Sequence, residues 1–96
     1  MARPFFTYML RCSDGSYYVG HTDDIENRVA QHETESGSSY TATRRPVRLV
    51  WFEEFPTREE AKIIETQIKK WSRRKKEALI TGRMDELRGA ARKDWA

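Results

Sequence analysis

Six side chains in this sequence are candidates for chemistry beyond packing: Tyr8, Tyr18, His21, Arg28, His32 and Glu65. Tyr8 stands in "FTYML" and Tyr18 opens "YVGHT", ten positions later. Two tyrosines so placed serve either sheet packing or half of an active site. Arg28 and His32 are four apart in a helical stretch, so they lie side by side on one face. Glu65 falls roughly 40° around its helix from Ala61, at the border of an apolar stripe. An ionised carboxylate there loses hydration and needs a partner. Either an arginine or a divalent cation held by oxygen ligands meets that need.

The elements that must position these groups are legible from periodicity. "FFTYMLRC" (5–12) and "YYVGH" (17–21) read as strands joined through the Asp14-Gly15 turn signal. Gly20 inside the second strand marks a bulge or a close approach to the backbone. "DDIENRVAQHE" (23–33) reads as a helix, with Asp23 and Glu26 as a capping box and Ile25 and Val29 on its apolar side. Residues 34–46 form a polar loop. "VRLVWFEEF" (47–55) is a third strand whose apolar run suggests a central or doubly covered position. Thr57 and Glu60 cap a helix over 56–71, on which Ala61, Ile64, Ile68 and Trp71 make a buried stripe. Ser72 caps a last helix that stops at Gly82. The order is β-β-α-β-α-α, an α/β fold with a three-stranded antiparallel sheet flanked by helices. One domain over 1–82 is expected, followed by a tail over 83–96 with a weak amphipathic pattern fit for a short helix.

Composition narrows the partners. The chain has 96 residues and a formal net charge of +3. Six of the eight residues in "KKWSRRKK" (69–76) are basic, and "TRRPVR" (43–48) adds three. Such local concentrations suit an anionic partner such as nucleic acid; a solvated helix face is the plainer reading. The single cysteine, Cys12, excludes an intramolecular disulfide and a four-cysteine zinc site. No run reaches the roughly 20 apolar residues of a membrane span, and "MARPFF" lacks a secretory signal's apolar core. A cytoplasmic protein without membrane contact is expected.

Taken together, Tyr8, "YVG" at 18–20, Arg28, His32 and Glu65 resemble the motif set of the GIY-YIG nuclease superfamily, in particular its small stand-alone bacterial members. The likeness runs from about residue 4 to 81. The first motif half reads Phe6-Thr7-Tyr8, keeping only the tyrosine, and His21 stands where related excision-repair nucleases tend to carry lysine. The resemblance implies a DNA endonuclease, structure-selective or non-specific, with a role in repair or recombination. It implies one Mg²⁺ or Mn²⁺ ion held by Glu65 and waters, and no small-molecule cofactor. By the same resemblance Arg28 binds the phosphate, and Tyr18 is the general base or orients the water. Tyr8 and His21 bond around that water, and His32 orients phosphate or base. Tyr40, Arg44 and Arg45 in the loop and Lys69, Lys70, Arg73, Arg74, Lys75 and Lys76 contact the nucleic acid, DNA rather than RNA, without reading sequence. A monomer or weak dimer is expected. Two other readings remain: a nucleic-acid-binding protein on this scaffold with little or no cleavage, and a small domain whose basic patch meets an acidic protein.

One geometric condition follows. A plain two-residue turn at Asp14-Gly15 pairs Tyr8 with His21 and Leu10 with Val19, which sends Tyr8 and Tyr18 to opposite faces. A shift by one, through a bulge or a three-residue loop, places both on one face. The nuclease reading requires the shift.

Overall fold

A computed structural model of the chain describes residues 3–34 and 38–82; the expected tail over 83–96 lies outside them. The elements are β1 (Phe5–Arg11), β2 (Tyr17–Thr22), α1 (Ile25–Glu33), α2 (Ser39–Ala42), β3 (Arg48–Phe55), α3 (Arg58–Lys69) and α4 (Arg73–Ile80). The three strands form one antiparallel sheet in the order β2-β1-β3. This is the expected α/β architecture with one addition: the segment expected to be a bare loop folds its middle into the single turn of α2. Ser38 caps that turn by accepting from the Thr41 amide.

The β1–β2 connection sets the register. Cys12 and Ser16 face each other, Cys12 N donating to Ser16 O at 2.8 Å, so Ser13, Asp14 and Gly15 make a three-residue loop. Gly15 takes φ +85, the left-handed position that such loops require and that glycine adopts without steric cost. Asp14 Oδ1 braces the turn by accepting from the Ser16 amide (3.0 Å) and hydroxyl (2.6 Å). Tyr8 therefore pairs with Gly20 and Leu10 with Tyr18. This is the shifted pairing, and Tyr8 and Tyr18 share a face.

Strand alternation then divides the molecule into two cores. On one face Met9 and Val19 pack with Ile64, Ile68 and Leu79, flanked by Trp51, Phe55 and Trp71. Helices α3 and α4 cover this side. On the other, Tyr8, Leu10, Cys12 and Val47 pack with Tyr18, Ile25, Val29 and Leu49 beneath α1. Helix α3 is tied to the central strand by a buried hydrogen bond, Thr7 Oγ1 donating to Ala61 O at 2.7 Å. One turn further along α3 stands Glu65.

Two expectations are corrected. The third strand is not central; it is an edge, and β1 occupies the middle. Its register shifts between Met9, opposite Trp51, and Leu10, opposite Leu49. Val50 is thus the extra residue of a bulge, and both Val50 and Trp51 join the α3-side core. The bulge lets consecutive apolar residues share one face, which the sequence reads as burial on two. Phe52, on the other face, is 50% exposed. The cap of α1 is Asp24 rather than Asp23, its carboxylate accepting from Asn27 N. β2 runs one residue further than its pattern suggests, through Thr22, whose hydroxyl accepts from the Asp24 amide at 3.1 Å and delays the helix start. Thr57 and Ser72 cap α3 and α4 as expected.

Gly20 is fully constrained. A Cβ there would lie 2.6 Å from Tyr8 Oη and 2.8 Å from Tyr8 Cζ. Gly20→Ala is expected to destabilise the fold by about 1–3 kcal/mol, the range for overpacking, read as a lower urea midpoint at unchanged slope. An unchanged midpoint would show that the Tyr8 ring does not lie over this glycine.

Candidate active site

The Tyr8 ring lies across Gly20 and carries its hydroxyl toward the outer edge of β2, where four groups gather. Tyr8 Oη is 2.9 Å from His32 Nε2 and 3.4 Å from Arg28 Nε. Arg28 also meets the Tyr18 hydroxyl. The Tyr18 ring lies 4.9 Å from the His32 ring and 6.4 Å from that of Tyr8, centroid to centroid. Helix α1 brings Arg28 and His32 here on one face, as their spacing requires. Asp24, four residues before Arg28 on the same helix side, caps the helix and pairs with Arg3. The guanidinium takes Gln31 Oε1 at 2.8 Å.

His32 is fully buried, and its hydrogen bonds assign its proton. Thr41 Oγ1 donates to Ser38 O (3.2 Å), so it accepts from His32 Nδ1–H (2.8 Å). Nε2 is left to accept from the Tyr8 hydroxyl. Burial, aided by the charge of Arg28, lowers the His32 pKa to about 4. Burial also raises Tyr8 to about 12 against the opposing bond from Arg28, with the charges of Tyr18 and Glu65 adding to the rise. Tyr8 is thus a neutral hydrogen-bond donor near neutrality. Arg28 moves upward too, because its contacts with Tyr8 and Tyr18 outweigh its own desolvation.

The remaining two groups reach the same edge from the other face. His21, next to Gly20, points toward α3, where its Nδ1 is 2.6 Å from Glu65 Oε1. Glu65 Oε2 is 2.7 Å from Lys69 Nζ. The carboxylate is 14% exposed, so the border position read from helix spacing holds. The two sets are not in one hydrogen-bonded cluster; they flank the β2 edge, and Glu65 is among the charges acting on Tyr8. The surface here is an open strand edge. One shallow depression is lined by Arg11, Cys12, Pro46, Val47 and Arg48. Another lies along Glu59, Lys62, Ile63 and Thr66, and none of the six groups lines either.

The six groups picked from the sequence thus occupy one neighbourhood, and a family model describing the GIY-YIG catalytic domain matches residues 4–78. The chain belongs to the GIY-YIG family. Among the relatives of this GIY-YIG domain is UPF0213 protein lin0209 of Listeria innocua, 45% identical over 85 residues, spanning 88% of this chain and 94% of that one. UPF0213 protein YazA of Bacillus subtilis is 44% identical over 75 residues, 78% of this chain and 76% of that one. Two solution structures share the fold. UPF0213 protein BH0048 of Bacillus halodurans has 39% identity and a TM-score of 0.54, covering 92% and 94% of the two chains. EF2693 of E. faecalis has 38% identity and a TM-score of 0.58, covering 84% and 86%.

The outer residues of the GIY-YIG domain divide. Tyr40 reaches the site, its ring 6.0 Å from that of Tyr18, with Arg44 stacked above it at 3.9 Å. Arg44 also holds Asp14 of the hairpin turn at 3.1 Å. Arg45 turns away toward the carbonyls of Ala42 and Glu33. Of the basic run, Lys69 is at Glu65. Arg73 pairs with Glu77 and donates to Gly15 O, and Lys75 lies over Trp71. Lys70 ends α3, and Arg74 is exposed. Sequence reasoning missed Thr41, which orients His32, and Arg58, whose Nη1 is 3.3 Å from His21 Nε2. Arg58 had a signal: a cation in the first turn of a helix opposes the dipole. Thr41 sits where only a polar loop was legible.

Because the folded pKa of His32 lies below its unfolded value, the unfolded chain binds the extra proton between about pH 6.5 and 4. Stability therefore rises with pH through that window and is lost as pH falls, by about 3 kcal/mol from this group. In an NMR titration the His32 ring is expected to show no inflection between pH 7.5 and 5. A midpoint near 6.5 would mean that the imidazole is not enclosed as described.

Proposed function

We propose that this GIY-YIG domain is a metal-dependent nuclease that hydrolyses phosphodiester bonds in nucleic acid, DNA rather than RNA, without reading extended sequence. The observation that carries the reading is the gathering of two phenols, a guanidinium and a carboxylate around one glycine-opened strand edge. An open edge suits a polymer backbone better than a small molecule, and the basic segments at 43–48 and 69–76 give a polyanion its counter-charges. The reading places the protein in the cytoplasm, acting on repair or recombination intermediates as a monomer or weak dimer. Among the described residues, no helix is long and apolar enough to cross a membrane.

The donor set fits a hard divalent ion. Among the described residues, no group of three or more His, Cys, Asp or Glu side chains could cage a metal. Glu65 offers one carboxylate beside solvent, which suits Mg²⁺ or Mn²⁺ keeping most of its water. Once bound, the ion supplies Lewis acidity and stabilises the leaving oxygen.

The chain's own residues do the rest. Arg28, held by Gln31 and the two phenols, presents its remaining donors to the phosphoryl oxygens, where charge develops. Tyr18, half-buried beside Arg28, orients the attacking water and is the candidate for taking its proton. Tyr8 donates to His32 and fixes the ring that packs against Tyr18. His21 holds Glu65 Oε1. Tyr40 and Arg44 extend the surface on the α1 side, and Lys70 and Arg74 contact phosphates on the α3–α4 side.

Glu65→Gln and Arg28→Ala are expected to lower cleavage of linear, nicked and branched DNA in Mg²⁺ by about 100-fold or more, with binding kept within a few-fold. Binding with no cut product in Mg²⁺ or Mn²⁺ would favour a nucleic-acid-binding protein on this scaffold. No binding at low salt would point to an acidic protein partner. Neutralising Lys70 and Arg74 together should reduce the slope of log K against log salt by about 1–2; an unchanged slope would remove them from the contact surface.

A further inference from the structure

Both oxygens of Glu65 are already engaged, and by different kinds of donor. On one side stands a chain of two residues. Arg58 Nη1, which can only donate, is 3.3 Å from His21 Nε2, so that nitrogen accepts. The ring proton is then on Nδ1 and is given to Glu65 Oε1 at 2.6 Å. Arg58 is itself steadied over the Phe5 ring at 4.6 Å. Oε1 is therefore held by an oriented ring backed by a fixed cation. On the other side, among the described residues, Oε2 meets the ammonium of Lys69, whose side chain is 53% exposed against 14% for Glu65. The more exposed partner of the carboxylate is thus the ammonium at Oε2.

We infer that Lys69 is a positioning residue that occupies Glu65 Oε2 in the free protein and yields it to the divalent ion when a substrate phosphate draws the ammonium away. This rests on Glu65 being the metal ligand. The lysine end of the pair is half exposed, and single glutamate–lysine pairs at this helix spacing are individually weak. Its effect on a divalent ion is larger, because two like charges would sit within a few ångströms. Lys69 thus disfavours ion capture by the free protein. A phosphate oxygen gives the ammonium another partner, so ion and nucleic acid favour each other's binding by the same factor. The Arg58–His21 arm keeps the carboxylate in place while its other oxygen changes partner.

The test is Mn²⁺ binding without nucleic acid, followed by the free-ion EPR signal, together with the affinity of a 20-base-pair DNA duplex in EDTA. Lys69→Met keeps the aliphatic stem and removes the charge; Lys69→Gln is a second variant, and amide NMR spectra establish that each is folded. The uncharged variants should bind Mn²⁺ about tenfold more tightly than wild type, and adding Glu65→Gln should abolish that gain. Their duplex affinity should fall severalfold. Wild-type binding that depends on Glu65 but is unchanged by Lys69→Met would overturn the role of Lys69 alone. Mn²⁺ binding indifferent to Glu65→Gln in every background would overturn the metal-ligand reading and this inference with it. Unchanged duplex affinity would overturn the transfer of Lys69 to phosphate. For the other arm, ¹⁵N spectra should show His21 protonated at Nδ1, shifting to a tautomer mixture in Arg58→Met. A His21 protonated at Nε2 in wild type would remove Arg58 from the arrangement.

Discussion

Tyr8 and Tyr18 share a face of the sheet because the turn between β1 and β2 holds three residues and not two. That turn depends on Gly15 in a left-handed conformation and on Asp14 bracing Ser16. Every later feature of the site inherits this register. It puts Gly20 opposite Tyr8, where the missing side chain lets the phenol cross to the sheet edge. It puts His21 on the opposite face, under α3, where it meets Glu65. A slip by one residue would exchange the faces, setting His21 opposite Tyr8 and Val19 where Tyr18 now stands.

The two faces supply different things. The α1 side is a buried, fully bonded network: Ser38, Thr41, His32, Tyr8 and Arg28 follow one another, each with a defined donor and acceptor. Burial there keeps the imidazole and the phenol neutral, so the network orients groups and carries one permanent charge, that of Arg28. The α3 side is ionic, running from the exposed Arg58 through the largely covered His21 and Glu65 to the half-exposed Lys69. Thr7 anchors α3 to the central strand through Ala61, and one turn on Glu65 meets His21. A buried, largely neutral wall and a charged one thus flank a single strand edge.

Much of this was legible in the residues themselves. Turn chemistry at Asp14-Gly15, the caps Thr57 and Ser72, and the stripe of Ala61, Ile64 and Ile68 are local signals, set by backbone preferences and helical period. The side-by-side placement of Arg28 and His32 follows from helix geometry alone. β3 misled because a bulge at Val50 makes neighbouring residues share a face, and a bulge arises only when two strands meet. The α1 cap moved by one residue because strand pairing extends β2 through Thr22. α2 was hidden because one helical turn is too short to show a period.

By itself the sequence determined which side chains were available for chemistry, the elements carrying them and the side of each helix they occupy, since those depend on residue type and spacing along the chain. Only the tertiary structure decided that Tyr8 lies over Gly20, that Thr41 holds His32, and that Arg58 and Lys69 take up positions on either side of Glu65. Those contacts join residues from separate elements. Their energies depend on burial and on the approach of charged groups across the sheet, and no local pattern encodes either.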